Sequence, residues 1–261
     1  MPKMADYRTG PSSAGANGVQ RQGELARTPF VTHLQPRAAS APSWTAEQRI
    51  ETLSKSNEIA LALWRIVDVA IALCVLFATL PLLLVIAAVI RLDSPGPALF
   101  FQHRLGRGAR PFRFVKFRTM HVDARQRFPE LYAYQYDEGE IQSIRFKVSN
   151  DPRVTRFGRW LRVTSIDELP NCWNVLTGDM SLVGPRPEIP EMLTYYHGDD
   201  QRKFAVRPGI TGLAQTRGRG DLTFRETVRL DCVYVRDRSV ALNIKVLWRT
   251  VRMVLAGHGA F

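Results

Sequence analysis

Apolar and polar positions are spread very unevenly along this chain. Residues 1–43 mix small, polar and basic side chains without any apolar period, which reads as a disordered tail. From Trp44 a partly apolar helical face appears, carried by Ile50, Leu53, Ile59 and Leu63. It leads into an uncharged run of about 22 residues, Val69 to Ile90, long enough as a helix for a hydrocarbon core of roughly 30 Å. Pro81 falls just past the middle of that run, where it removes one helical hydrogen bond, and each half is too short to cross alone. A spanning helix and a re-entrant hairpin bent at Pro81 both fit this pattern. Arg65 before the run and Arg91, Arg104 and Arg107 after it draw both ends toward the cytoplasmic face. Asp68 is expected to pair with Arg65, one turn earlier.

After the turn-rich Asp93-Ser94-Pro95-Gly96-Pro97, the stretches Ala98–Gln102 and Phe112–Phe117 predict two short strands joined by a Gly/Arg loop. Asp137-Glu138-Gly139-Glu140 reads as a solvated loop between short helices. A basic helix follows Asp151-Pro152, with Phe157, Trp160 and Leu161 on its apolar side. A further helix is predicted from Asp167 to Leu176, stopped at Gly178, then a strand from Met180 to Val183. Val240 to Leu255 is an amphipathic helix with Lys245, Arg249 and Arg252 on one stripe; it suits either a packed terminal helix or one lying in lipid headgroups, and the upstream apolar run favours the second. The resulting division is a tail at 1–43, a helix and membrane segment at 44–92, a folded domain at 93–220 and an interfacial segment at 221–261. The fold class is mixed α/β and helix-rich, with short strands.

The net charge of +12 adds a preference for polyanionic partners: nucleic acid, anionic lipid or phosphorylated substrates. Three widely spaced cysteines indicate neither a disulfide framework nor a zinc site and suit a reducing compartment. No secretory signal is read near the start.

Candidate chemistry concentrates in Thr164 to Pro187. Asp167 and Glu168 are adjacent carboxylates at a predicted helix start. Ser165 with Glu168 fits a capping box, so Glu168 can be read as a cap; a helix start also favours a bound phosphate. Lys116 and Arg118, in a strand flanked by apolar residues, are phosphate candidates, while the other arginines of that hairpin read as a solvated or lipid-facing edge. Arg162 ends the basic helix just before the acidic pair. Gly184-Pro185-Arg186-Pro187 and Val206-Arg207-Pro208-Gly209 are rigid turns that each present one arginine. A helix cap alone has no use for so many cations.

Three motifs, VKFRTM at 115–120, DPRVTRFGRWLRVTSIDELPNCWNVLTGDMSLVGPRP at 151–187 and VRPGITGLAQTRGR at 206–219, resemble the bacterial sugar transferase family, the monotopic phosphoglycosyl transferases. The resemblance covers roughly Ile66 to Leu255. It implies a cytoplasmic catalytic domain on the bacterial inner membrane, held by a re-entrant helix; the family's Ser-Pro bend falls on Leu80-Pro81, where the Pro is kept and the Ser is not. It further implies Asp167-Glu168 as the catalytic dyad and metal site, with Lys116, Arg162, Arg186 and Arg207 at matched phosphate-binding positions and Mg2+ (or Mn2+) as cofactor. The implied activity moves a hexose-1-phosphate from a UDP-hexose to undecaprenyl phosphate at an anionic lipid bilayer, upstream of further glycosyltransferases. A membrane-anchored nucleic-acid-binding protein, motivated by the charge and the Phe/Arg alternation at Phe112–Arg118, leaves the acidic pair unexplained, so nucleic acid is not expected as a partner. An inactive scaffold for glycan assembly leaves it unexplained as well.

Overall fold

The structure is a computed structural model that describes residues 55–145, 150–218 and 221–256. The tail at 1–43 and the helical onset at 44–54 lie outside the described residues.

A single long helix, α1 (Lys55–Asp93), carries the uncharged run; from Ile59 to Asp93 it is long and apolar enough to cross a membrane. It continues through Pro81. Pro81 has no N–H to donate to Phe77 O in the preceding turn, and close by the Thr79 hydroxyl donates back to Val75 O at 2.7 Å. Most of its surface is apolar and exposed, with Phe77, Leu80, Leu84 and Val85 bare. The few buried positions fall on both sides of Pro81. Ala72 enters the central core, while Ile86 and Ile90 pack with Phe117 and Leu161.

The expected Arg65–Asp68 pair does not form. Arg65 instead donates to the carbonyls of Met180 and Val175, and Asp68 accepts from the Ser181 hydroxyl and Leu182 N–H. Both charged groups, placed one turn before the apolar run, tie the helix to the folded domain, where unpaired backbone groups outcompete a local ion pair.

The strands β1 (Leu99–Leu105) and β2 (Pro111–Phe117) form the predicted antiparallel hairpin, with Phe100 opposite Lys116 and Arg104 opposite Phe112. The turn uses left-handed Gly108 and Ala109. Because side chains alternate, Phe100, Gln102 and Arg104 share one face with Phe112, Phe114 and Lys116. Asp137 is the cap of a short helix, α2 (Glu138–Ser143), with a capping box to Glu140; the acidic cluster is a helix start and not the expected loop, its carboxylates being favoured by the helix N-terminus. The basic helix α3 (Arg156–Thr164) starts at the Thr155 cap, later than Asp151-Pro152 suggested.

Downstream, α4 (Cys172–Thr177) ends at left-handed Gly178 as predicted, and β3 (Ser181–Val183) pairs in parallel with β4 (Gly209–Thr211). This crossing is tight: a Cβ on Gly209 would lie 2.0 Å from Gly184 N. The chain closes with α5 (Leu213–Gly218), α6 (Phe224–Asp237) and α7 (Val240–Leu255). Phe224, Val228, Tyr234 and Val235 of α6 are core residues, so 224–237 packs with the residues upstream of 220. Helix α7 buries Asn243 and Val246 while exposing Ile244, Trp248, Val251 and Leu255.

Candidate active site

The acidic pair sits on a 3-10 segment, Ile166–Asn171, inserted between α3 and α4. The sequence predicts a single α-helix here; Pro170 lacks the N–H that would continue the α-helical ladder from Ile166, and the tighter winding results. Ser165 is left-handed at φ 58° and its side chain caps nothing, so the capping box is absent. What remains of it is the Glu168 N–H donating to Ser165 O at 3.3 Å. Glu168 is therefore released from the capping role and turns to Arg186, whose guanidinium lies 3.1 Å from its Oε1.

Asp167 is buried, at 4 % exposure. Burial foremost, and then the Glu168 charge, push its carboxyl up to about 6, against the pull of Lys116, Arg162 and Arg186. Strand β2 packs on the 3-10 segment and brings Lys116 to it. Burial lowers the Lys116 ammonium to about 8, with Asp167 acting in the opposite sense. Arg162 is aimed by the Thr119 hydroxyl, which accepts from its Nε at 3.0 Å, and by Asp151, itself held in a two-point pair by Arg153. Lys116, Arg162 and Arg186 thus converge on the acidic pair, an arrangement suited to a phosphorylated ligand.

Two sequence candidates lie elsewhere. Arg118 is buried and donates to the carbonyls of Pro97, Pro95 and Ser94 at 2.7, 2.9 and 2.8 Å. It fastens the turn that leaves α1, and its donors are taken. Arg207 donates from Nε to Gly178 O at 2.8 Å, and the charges that act on it are Arg65 and Asp68 of α1 and Arg238. A pattern of strand and Pro-turn arginines could not separate these from Lys116 and Arg186, because the direction each side chain takes depends on distant carbonyls.

Two residues were missed. Arg104 reads from the sequence as one of the solvated or lipid-facing hairpin arginines, yet it lies over the Phe114 ring at 5.6 Å, donates to Pro187 O at 3.2 Å and lines the pocket beside Glu168 and Arg186. Its strand parity with Lys116, readable from the alternation, was the available signal. Asn171 ends the 3-10 segment, fully buried, with neither its Oδ1 nor its Nδ2 hydrogen-bonded to any protein group.

The residues around the pair also decide whether a metal fits. Among the described residues no group of three or more His, Cys, Asp and Glu could hold an ion. Two adjacent carboxylates still suffice for Mg2+, which commonly takes one or two carboxylates and completes its shell with substrate phosphates and water.

The pattern of the bacterial sugar transferase family matches residues 59–257, and the chain belongs to that family. It is 45 % identical over 172 residues to the galactosyl transferase CpsE of Streptococcus agalactiae, a match that covers 66 % of this chain and 37 % of that protein. It is 42 % identical over 207 residues to the UDP-glucose:undecaprenyl-phosphate glucose-1-phosphate transferase of Caulobacter vibrioides, covering 76 % of this chain and 71 % of that one. The exopolysaccharide production protein ExoY of Sinorhizobium fredii is 32 % identical over 194 residues, covering 74 % and 86 %. Several longer relatives, CpsE among them, are matched over less than half of their length.

Proposed function

We propose that this protein transfers a hexose-1-phosphate from a UDP-hexose to undecaprenyl phosphate, with Asp167 as the nucleophile. The observation that carries this reading is a buried carboxylate of raised pKa facing three cations, in a chain whose relatives bear the names of UDP-sugar and undecaprenyl-phosphate transferases. Isolated burial of a carboxylate is unfavourable, and several cations converging on it are suited to stabilising the further negative charge that arrives with a ligand.

In the first step an Asp167 carboxylate oxygen attacks the β-phosphorus of the UDP-hexose. The bond from that phosphorus to the bridging oxygen breaks, and UMP leaves with the electron pair. Lys116 and Arg162 hold the transferring phosphoryl oxygens, and Arg186 positions both these oxygens and Glu168. In the second step a phosphate oxygen of undecaprenyl phosphate attacks the same phosphorus and the Asp167–phosphorus bond breaks, which regenerates the carboxylate. Mg2+, bound through Asp167, Glu168 and the substrate, would offset diphosphate charge. Arg118 is left out of the phosphate set because its donors hold backbone carbonyls, and Arg207 because its Nε holds Gly178 O and the charges acting on it do not include the acidic pair.

We read α1 as re-entrant. Ala72 and Ile90 would stand roughly 27 Å apart on a straight helix, close to the thickness of the hydrocarbon core. Both pack on the one folded unit. A segment that enters the bilayer and returns, bent near Pro81 between them, lets a domain on one side meet both. The exposed apolar residues of α7, with Trp160 of α3 and Trp173 of α4, suit the adjoining headgroup layer, and the arginines that flank the apolar run support our reading of a catalytic domain on the cytoplasmic face of the inner membrane.

The direct test is incubation of purified protein with labelled UDP-hexose and Mg2+ but no lipid. Release of UMP together with label on the protein is expected, and a requirement for lipid before any UMP appears would overturn the two-step route. The pH dependence gives a second check. Ionised Asp167 is lost as pH falls through about 6, and charged Lys116 is lost as pH rises through about 8. A plot of kcat/KM for UMP release against pH should therefore be bell-shaped between those values, and its acid limb should move to lower pH as Mg2+ is raised, since metal and proton compete for Asp167. A profile flat from pH 5 to 9 would contradict both assignments.

A further inference from the structure

The Asn171 carboxamide is not used by the chemistry above. Its side chain is fully buried, and both polar ends lack a protein partner. Leaving an amide buried and unpaired is unfavourable. The surrounding wall explains why the fold itself does not satisfy it: Phe114, Met180 and Ile210 supply apolar surface, and Arg186 is engaged by Glu168. Asn171 lines the pocket with these groups and with Arg104 and Glu168. The cavity they share has a volume of about 10 Å3, near the room one water molecule needs.

The chemistry of the amide selects what can satisfy it. Nδ2 can only donate and Oδ1 can only accept. An ionised phosphate oxygen accepts but never donates, so the diphosphate satisfies Nδ2 and leaves Oδ1 bare. A hydroxyl does both. The cations already surround the position of the transferring phosphorus, and the group attached directly to that phosphorus is the hexose. We infer that Asn171 is the sugar-reading residue of this site, its carboxamide exchanging hydrogen bonds with hydroxyl groups of the hexose. The inference rests on the transferase reading for the identity of the ligand.

A site built around such a bond rejects a ligand that lacks the hydroxyl, because its own buried groups are then left unpaired. Asn171 would thereby separate hexoses that differ in one hydroxyl, while Lys116, Arg162 and Arg186 grip any nucleoside diphosphate alike.

The test compares wild type with Asn171→Leu by equilibrium binding of UDP-glucose, UDP-galactose and UDP, in the presence of Mg2+, on full-length protein in detergent or nanodiscs. Leucine has the same branched shape and no polar atoms. The expected result is a loss of about 10- to 100-fold in affinity for at least one UDP-hexose, with UDP binding unchanged. Thermal unfolding of the ligand-free variant should occur at or above the wild-type temperature, because an unpaired amide has been replaced by an apolar group. A merely structural Asn171 would show the reverse, a lower unfolding temperature and equal losses for all three ligands. Equal losses with an unchanged unfolding temperature would place Asn171 on the diphosphate or its metal, and no loss for any ligand would remove it from the site; each overturns the inference. If wild type releases no UMP from any UDP-hexose while the hexose-dependent binding difference persists, the transferase reading fails and the assignment of Asn171 stands.

Discussion

Asp167→Asn should abolish label transfer to the protein and slow UMP release by on the order of 10^4-fold or more, because the amide is a far weaker nucleophile in the same place. The replacement is nearly isosteric. It removes a carboxylate whose ionisation is opposed by burial and by Glu168, so the unfolding free energy should stay within about 1 kcal/mol of wild type. Loss of activity without loss of fold is the expected signature. Glu168→Gln provides the contrast. It breaks the 3.1 Å contact to Arg186 and should reduce turnover and raise the Mg2+ requirement, yet still allow label on Asp167. Label retained in Asp167→Asn, or lost only in Glu168→Gln, would exchange the roles of the two carboxylates.

The largest stability effect is expected away from the catalytic pair, at Lys203. Its ammonium is almost fully buried and stands 3.3 Å from Asp231 Oδ2 and 3.5 Å from Glu188 Oε2, donating also to the Tyr196 hydroxyl at 2.9 Å. Tyr196 in turn donates to Glu188 at 2.8 Å. Lys203→Met leaves two carboxylates facing each other with one cation gone, and breaking a buried pair from one side typically lowers stability by about 3–5 kcal/mol. In a domain of this size that corresponds to a fall in Tm of roughly 10 °C. Burial already holds Asp231 up at about 6, with Lys203 the main opposing influence, Glu188 adding to the rise and Arg186 reducing it. Removing Lys203 raises it further. A group whose folded pKa exceeds its unfolded value contributes stability at low pH and loses it as pH climbs, so the variant should suffer more at pH 8 than at pH 5. Lys203→Met combined with Asp231→Leu should recover much of the loss. Thermal unfolding at the two pH values decides the matter; a variant with wild-type Tm at pH 8 would show that the ion cluster is not a stabilising unit.

The elements that follow from local pattern were legible in the sequence. The apolar run, the hairpin, the Gly178 stop and the amphipathic span of α7 each rest on periodicity or on one backbone preference. What was not legible depends on long-range partners. Ser165 and Glu168 match a capping box letter for letter, yet a left-handed Ser165 and the imino acid Pro170 set a different winding, and Arg186 claims the carboxylate. Arg118 and Lys116 are neighbours in sequence but serve different ends, because one meets the carbonyls that leave α1 and the other meets Asp167. Arg104 was readable only by carrying the strand alternation through the whole hairpin. Asn171 offered no pattern at all: its position is defined by the absence of protein partners, which only packing discloses.

The crossing of β3 and β4 bears on how such an enzyme can be redesigned. The loop carrying Arg186 leaves β3 and the turn carrying Arg207 enters β4, and the two run so close that even a methyl at Gly209 would meet backbone at 2.0 Å, and one at Gly184 would meet Arg207 O at 2.5 Å. That wall of the pocket tolerates no added atoms. An engineer who wishes to alter the sugar accepted has to work from the opposite side, on the short 3-10 turn, where a side chain rather than the main chain borders the cavity.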